Sequence, residues 1–268
     1  DVTIGKDGYL YFTVGGRGTQ SELYRVRYVG NESTDPAPKV ALNEAHQARR
    51  AIEAFHNEAE KDEATIKKLV EQLGSNDRHI RYAARVALER VPAAKWAPMV
   101  LKSEDPNTIL TGAVGLARIG DHSLQEPLMM RLGSLSFASI SPSQRLDAAR
   151  AAQLILIRLG ELNTPLRTTI ADAVEGMFPS GDDLFDRELV ILLTYLQSPG
   201  LAKKVLPILA QERKKTEADY VEILQRNKGY GGPIAAMLEN QPDLQQFHLA
   251  FSLRNLKEGW TEIGRAHV

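Results

Sequence analysis

Histidine is the side chain most ready for acid–base or metal chemistry near neutral pH. The chain has six histidines, and they do not cluster. Glu53-x-x-His56 has the spacing of half a di-iron site, which sets both side chains on one helical face. A complete site needs a second copy and further glutamates on facing helices. No second copy is present, so the pair reads as part of a solvated face. His46, His79, His122 and His248 show no ligand spacing. Gly15-Gly16-Arg17-Gly18-Thr19 is rich in glycine but lacks the Gly-x-x-x-x-Gly-Lys-[Ser/Thr] frame of a phosphate loop, and a strand rather than a helix follows it. It reads as a β-turn. Arg17 at its tip is the one candidate for facing a ligand, since binding residues concentrate on loops. No Ser-His-Asp arrangement, paired-carboxylate pattern or dinucleotide fingerprint is present.

Two basic stretches remain. Residues 77–102 carry six Lys/Arg against Asp77 and Glu89, and residues 203–228 carry seven against four acids. A helical surface with such charge can track phosphates. Overall, however, 33 Lys and Arg balance 34 Asp and Glu, leaving a net charge of −1, so no global field steers the protein to nucleic acid or anionic lipid. Nucleic acid is therefore not the expected partner. With no cysteine, these residues hold no disulfide, no thiolate metal site and no covalently attached c-type haem. The expectation is no cofactor within this chain. The longest apolar runs, such as Leu154–Ile157 and Leu189–Leu193, fall far short of the roughly 20 residues a membrane span requires.

Elements must position whatever these residues do. Over residues 1–30, Leu10, Phe12 and Val14 alternate with Tyr9, Tyr11 and Thr13, and Tyr24, Val26 and Tyr28 alternate with Arg25 and Arg27. Period-2 patterning of aromatic and β-branched residues predicts short antiparallel strands. Asp7-Gly8 supplies a tight turn and Gly15–Gly18 a looser one. So small a sheet has unpaired edges and is not expected to be stable alone. Residues 31–40 are polar and punctuated by proline, the composition of a linker.

From Ala41 onward the apolar spacing is helical. Over 77–91, Ile80, Ala84, Ala87, Leu88 and Val91 form one stripe, Arg81, Arg85 and Glu89 lie opposite, and Asp77 is the N-cap. The stripe recurs as Thr108, Gly112, Gly115, Leu116 and Ile119, capped by Asp105, and again as Ala148, Ala152, Ile155, Leu156 and Leu159. Each copy ends in Leu-x-Arg-[Val/Ile/Leu]. In the last two a glycine follows (Gly120, Gly160), the expected residue just past a helix end. Partner helices are expected over 92–102, 122–132 and 163–177. Further amphipathic stretches carry Leu189, Leu192, Leu193 and Leu196, then Leu249, Leu253, Leu256 and Trp260. Irregular two-helix repeats with small residues in one column predict a mainly α fold, a HEAT-like α-solenoid over 41–261 preceded by an antiparallel β stub. An ordinary helical bundle can carry the same pattern.

The ends carry expectations of their own. The chain opens in mid-strand, so the absence of a signal peptide fits a missing N-terminal stretch as well as a cytosolic origin. Glu262 to Val268 back-translate as GAG ATC GGA AGA GCA CAC GTC, which contains the start of a short-read sequencing adapter. Residues 262–268 are expected to be its translation, which leaves Arg265 and His267 without a role.

The stretch from Asp1 to Gly30, ending Gly-Gly-Arg-Gly-Thr-Gln-Ser-Glu-Leu-Tyr-Arg-Val-Arg-Tyr-Val-Gly30, resembles the closing blade of a β-propeller of the glucose/sorbosone dehydrogenase kind. Arg49-Arg50-x-x-Glu53-x-Phe55-His56, Ile80-Arg-Tyr-Ala-Ala-Arg-Val-Ala-Leu-Glu89 and Leu253-Arg-Asn-Leu-Lys-Glu-Gly-Trp-Thr261 are similar to the helical region that follows it in PVC-type haem-binding CxxCH proteins, also described as membrane-bound dehydrogenases. The resemblance implies a large periplasmic or secreted protein in three parts: a propeller oxidising a sugar or alcohol, a HEAT-like region, and a c-type cytochrome domain that accepts electrons. Most of the propeller and the Cys-x-x-Cys-His haem site lie outside these residues, so no catalytic or haem-ligating residue carries over. The expected partners are those propeller and cytochrome domains, and the expected role is a scaffold joining them. The alternatives are a contribution to the oxidoreductase's substrate site and, third, a nucleic-acid-binding HEAT protein.

Overall fold

A computed structural model of the chain describes residues 2–16, 19–33, 35, 41–58, 60–212 and 243–260. The fold is mainly helical with a small three-stranded antiparallel sheet. The chain divides into two compact units, Asp1–Ala41 and Leu42–Val268.

In the first unit β1 (Val2–Ile4), β2 (Leu10–Gly16) and β3 (Thr19–Val26) pair in the order β1-β2-β3. The Asp7-Gly8 turn forms as expected. Gly8 takes a φ of +79° that side chains disfavour, and Asp7 accepts hydrogen bonds from Tyr9 N and Tyr11 Oη. Pairing Val2 with Phe12, Phe12 with Tyr24 and Leu10 with Val26 collects the apolar residues on one face, where the Phe12 and Tyr24 rings stack at 5.1 Å. No described side chain of this sheet is buried, and Val2 and Ile4 are 68% and 64% exposed.

The second unit contains, among the described residues, α1 (Glu44–Glu53), α2 (Glu63–Gln72), α3 (Arg78–Leu88), α4 (Ala97–Lys102), α5 (Pro106–Ile119), α6 (Gln125–Gly133), α7 (Pro142–Arg158), α8 (Thr164–Met177), α9 (Asp183–Leu196), α10 (Leu201–Leu209) and α11 (Leu244–Leu253). Local chemistry sets their starts. Asp77, Asp105, Ser141, Asn163, Asp182 and Asp243 accept hydrogen bonds from backbone N–H groups that the first turn leaves orphaned. Ser141 and Gln144 complete a reciprocal capping box at α7. The expected partner helices over 92–102, 122–132 and 163–177 are α4, α6 and α8, the first two entered through short 3-10 turns.

Packing follows chain order. The odd-numbered helices form one layer, α1 on α3, α3 on α5, α5 on α7, α7 on α9 and α9 on α11. Across it α2, α4, α6 and α8 contact one another in succession, and each pair is closed by contacts such as α4 on α5 and α8 on α9. Small residues permit the close approach. A Cβ at Gly112 would lie 2.6 Å from both γ carbons of Val100, and one at Gly115 would lie 3.0 Å from the Trp96 ring. Trp96 is fully buried and donates its indole N–H to Val91 O at 3.3 Å. Neighbouring pairs are also stitched by polar contacts. Asn107 Nδ2 reaches Gly74 O, Gln144 Nε2 reaches Asn107 Oδ1, and His122 Nδ1 donates to Leu159 O at 2.7 Å.

The face of α3 opposite its apolar stripe is itself partly covered: the Arg85 and Glu89 side chains are each only 14% exposed, because α5 lies over that side and Arg118 pairs with Glu89 at 2.9 Å. One expectation needs correction. Gly120 ends α5 in an extended conformation with φ −78°, whereas Gly160 takes the expected positive φ of 104°. Glycine is needed at 120 for space instead: a Cβ would meet Leu116 O at 2.6 Å and Leu124 at 2.7 Å.

Candidate functional site

The residues singled out by spacing do not assemble. Glu53 ends α1 and pairs with Arg49 at 3.1 Å, while the His56 ring, in the following 3-10 turn, sits 2.9 Å from Ala83 O. The Glu53 pair is internal to α1, and only the His56 contact reaches across to α3. Arg17 and residues 262–268 lie outside the described residues, as does most of the basic stretch over 203–228. Among the described residues no group of His, Cys, Asp or Glu is placed to hold a metal ion, and no helix is long and apolar enough to cross a membrane.

The basic stretch over 77–102 is dispersed by the fold. Arg81 donates to Ser75 O and Asn76 O, and Arg85 is tied to Glu89. Lys95 and Lys102 belong to the other layer, with α4. What survives is a shallow cleft of about 180 Å³, with Arg78, Arg81 and Arg85 from α3 opposite Asp147 and Arg150 from α7. The surrounding protein pushes the Asp147 carboxyl up despite the opposing pull of Arg81. A separate cavity of about 220 Å³ among α6, α7, α8 and α9 is lined by apolar side chains, including Met129, Phe137 and Phe185, and offers no titratable group.

The largest of these openings is a cleft of about 690 Å³ between α9 and α11. Its position follows from the helical period. Leu189, Leu192, Leu193 and Leu196 face the core, so Ile191, Thr194 and Tyr195 turn toward the flank that α11 lines. On α11, Leu249 and Leu253 are buried, and His248, Phe251 and Ser252 line the opening. Gln197, held at φ +57° just past α9, closes the end. Its amide nitrogen donates to Thr194 O and Asn255 O, and its oxygen accepts from Lys257 N. Arg254 lays its guanidinium 3.7 Å from the Phe251 ring centroid.

Thr194 is 5% exposed, yet its hydroxyl has no hydrogen-bond partner among the described residues, and neither has the buried Nδ1 of His248. A buried polar atom left unpaired costs free energy, so two at one cleft single it out. Sequence spacing missed this site because its residues come from helices some 50 positions apart. The only local signal was Ile191, Tyr195 and Phe251, apolar or aromatic residues placed off the buried stripes. Comparison with known proteins finds no family model, curated protein or solved structure that matches the chain.

Proposed function

We propose that the helical unit is a HEAT-like solenoid serving as a scaffold, and that it joins a propeller of the dehydrogenase type to a c-type cytochrome domain in a periplasmic or secreted haem protein. One observation supports the solenoid reading above the others: each helix layer is built by successive contacts between sequence neighbours, α1 to α3 to α5 and onward. A bundle would bring early and late helices together around one axis. In a solenoid each repeat rests on its neighbours and the spacing between the two ends is held rigidly. Electron transfer between domains at those ends depends steeply on that spacing. The bare apolar face of the β-sheet supports the companion reading that these strands belong to a larger β-structure.

The test uses a full-length protein of this type, with and without the segment corresponding to residues 41–261. Dye-linked dehydrogenase turnover and haem reduction are measured in both. Turnover retained with haem reduction lost is the expected result; both unchanged leaves the scaffold without support. Among the described residues no observation favours nucleic-acid binding, since the basic side chains of 77–102 are divided between two layers and partly neutralised.

A further inference from the structure

We infer that the cavity among α6, α7, α8 and α9 is a binding site for a small uncharged aromatic hydrocarbon of one or two rings. The space follows from a departure within the repeat. In α5 the small-residue column is filled from the other layer, where Val100 of α4 leaves no room for a Cβ at Gly112. In the next copy, on α7, the same column presents Ala148 and Ala152, and there a cavity of about 220 Å³ remains between the layers. An apolar cavity of roughly 150 Å³ is enough to hold a benzene ring, so this one has room for a substituent or a second ring. A void of this size costs stability in proportion to its volume, and a ligand that fills it restores that stability. Water fills it poorly, because among the described residues no side chain of the lining carries a hydroxyl, an amide or a charge.

The lining also selects a ring over a chain. The Phe137 and Phe185 rings lie 6.2 Å apart between centroids, and Met129 and Met177 bring polarizable sulfurs to the same cavity. Rings and thioethers both make contacts with an aromatic ligand that a saturated one lacks. Entry is from the even-numbered layer. Among the described lining residues only Gly133, at the end of α6, and Ala173, on α8, are exposed, and neither has the bulk to close the gap. The site does not depend on the scaffold reading.

The experiment titrates the full chain, labelled with carbon-13 at its methionine methyls, with naphthalene and with its saturated counterpart decalin. Naphthalene is expected to saturate at one equivalent. It should shift the Met129 and Met177 methyl resonances and leave Met99 and Met130, which do not line the cavity, in place. Decalin is expected to bind at least fivefold more weakly. Ala152→Leu, which fills the cavity from α7, should raise the melting temperature and weaken naphthalene at least tenfold. Ala173→Phe, at the exposed rim where folding tolerates bulk, should weaken it as well. Absence of saturable binding, equal affinity for decalin, shifts spread evenly over all four methyls, or unchanged affinity in either variant would each overturn the proposal.

Discussion

At the scale of single residues, unpaired groups and helix caps carry the clearest consequences. Replacing Thr194 by valine removes a buried hydroxyl that has no partner among the described residues while keeping its shape. Urea denaturation is expected to show a gain of about 1 kcal/mol. A loss would mean that the hydroxyl is satisfied in solution. Ser141→Ala, which removes half of the capping box on α7, is expected to cost about 1 kcal/mol in the same measurement.

Acidity at the helix starts has a definite sign. The carboxyls of Asp62 and Asp77 lie below their ordinary value of 3.8, chiefly because the Thr65 and His79 N–H groups donate to them. Asp121 is lowered chiefly by the Ser123 hydroxyl. A group whose pKa is lower folded than unfolded contributes stability that is present above the unfolded value and lost as pH falls through the folded one. Melting followed by circular dichroism should therefore be level down to about pH 5 and decline below about pH 4. Asp147 works in the opposite direction, because burial raises its pKa and so penalises the ionised form. Asp147→Asn is expected to raise the melting temperature at pH 7 and leave it unchanged at pH 3.

At the scale of elements, glycines separate close approach from open surface. At Gly112 the space for a Cβ is taken by Val100 of α4, so Gly112→Ala is expected to destabilise by about 1–3 kcal/mol. At Gly176, near the end of α8, a Cβ would meet nothing within 4 Å, and alanine there should stabilise by about 0.5 kcal/mol. Opposite signs for one substitution in two helices would locate the tight seam between α4 and α5. Of the two, only Gly112 belongs to the recurring small-residue column, and there contact with Val100 explains it. The Arg85–Glu89–Arg118 cluster shows the limit of reading a single helix by its period. A charged face is free only if no further helix comes to lie on it.

At the scale of the whole molecule, contacts between neighbours make stability regional. Removing residues 105–140, which hold α5 and α6 with their connections, takes out one repeat and lets α7 meet α3. A solenoid is expected to retain a cooperative helical melt after this excision, as nearest-neighbour stabilities are roughly additive. A bundle with one central core would lose it. The sheet is the contrasting case. With no described side chain buried, a peptide of residues 1–33 is expected to be unstructured by circular dichroism.

Patterns confined to one helix or one hairpin were legible from the amino-acid order. The Asp7-Gly8 turn, the Asp77 and Asp105 caps, the buried stripes and the repeat from α3 to α7 all rest on chemistry between residues a few positions apart. Glu53 and His56 have the spacing of half a metal site, and the lack of a second copy in the sequence argued against it. Tertiary packing decided the rest: that α5 covers Arg85, that Gly120 needs space rather than a positive φ, and that Thr194 and His248 share one cleft. These outcomes depend on which helix faces arrive beside one another. That is settled by burial over the whole unit, and no local spacing records it.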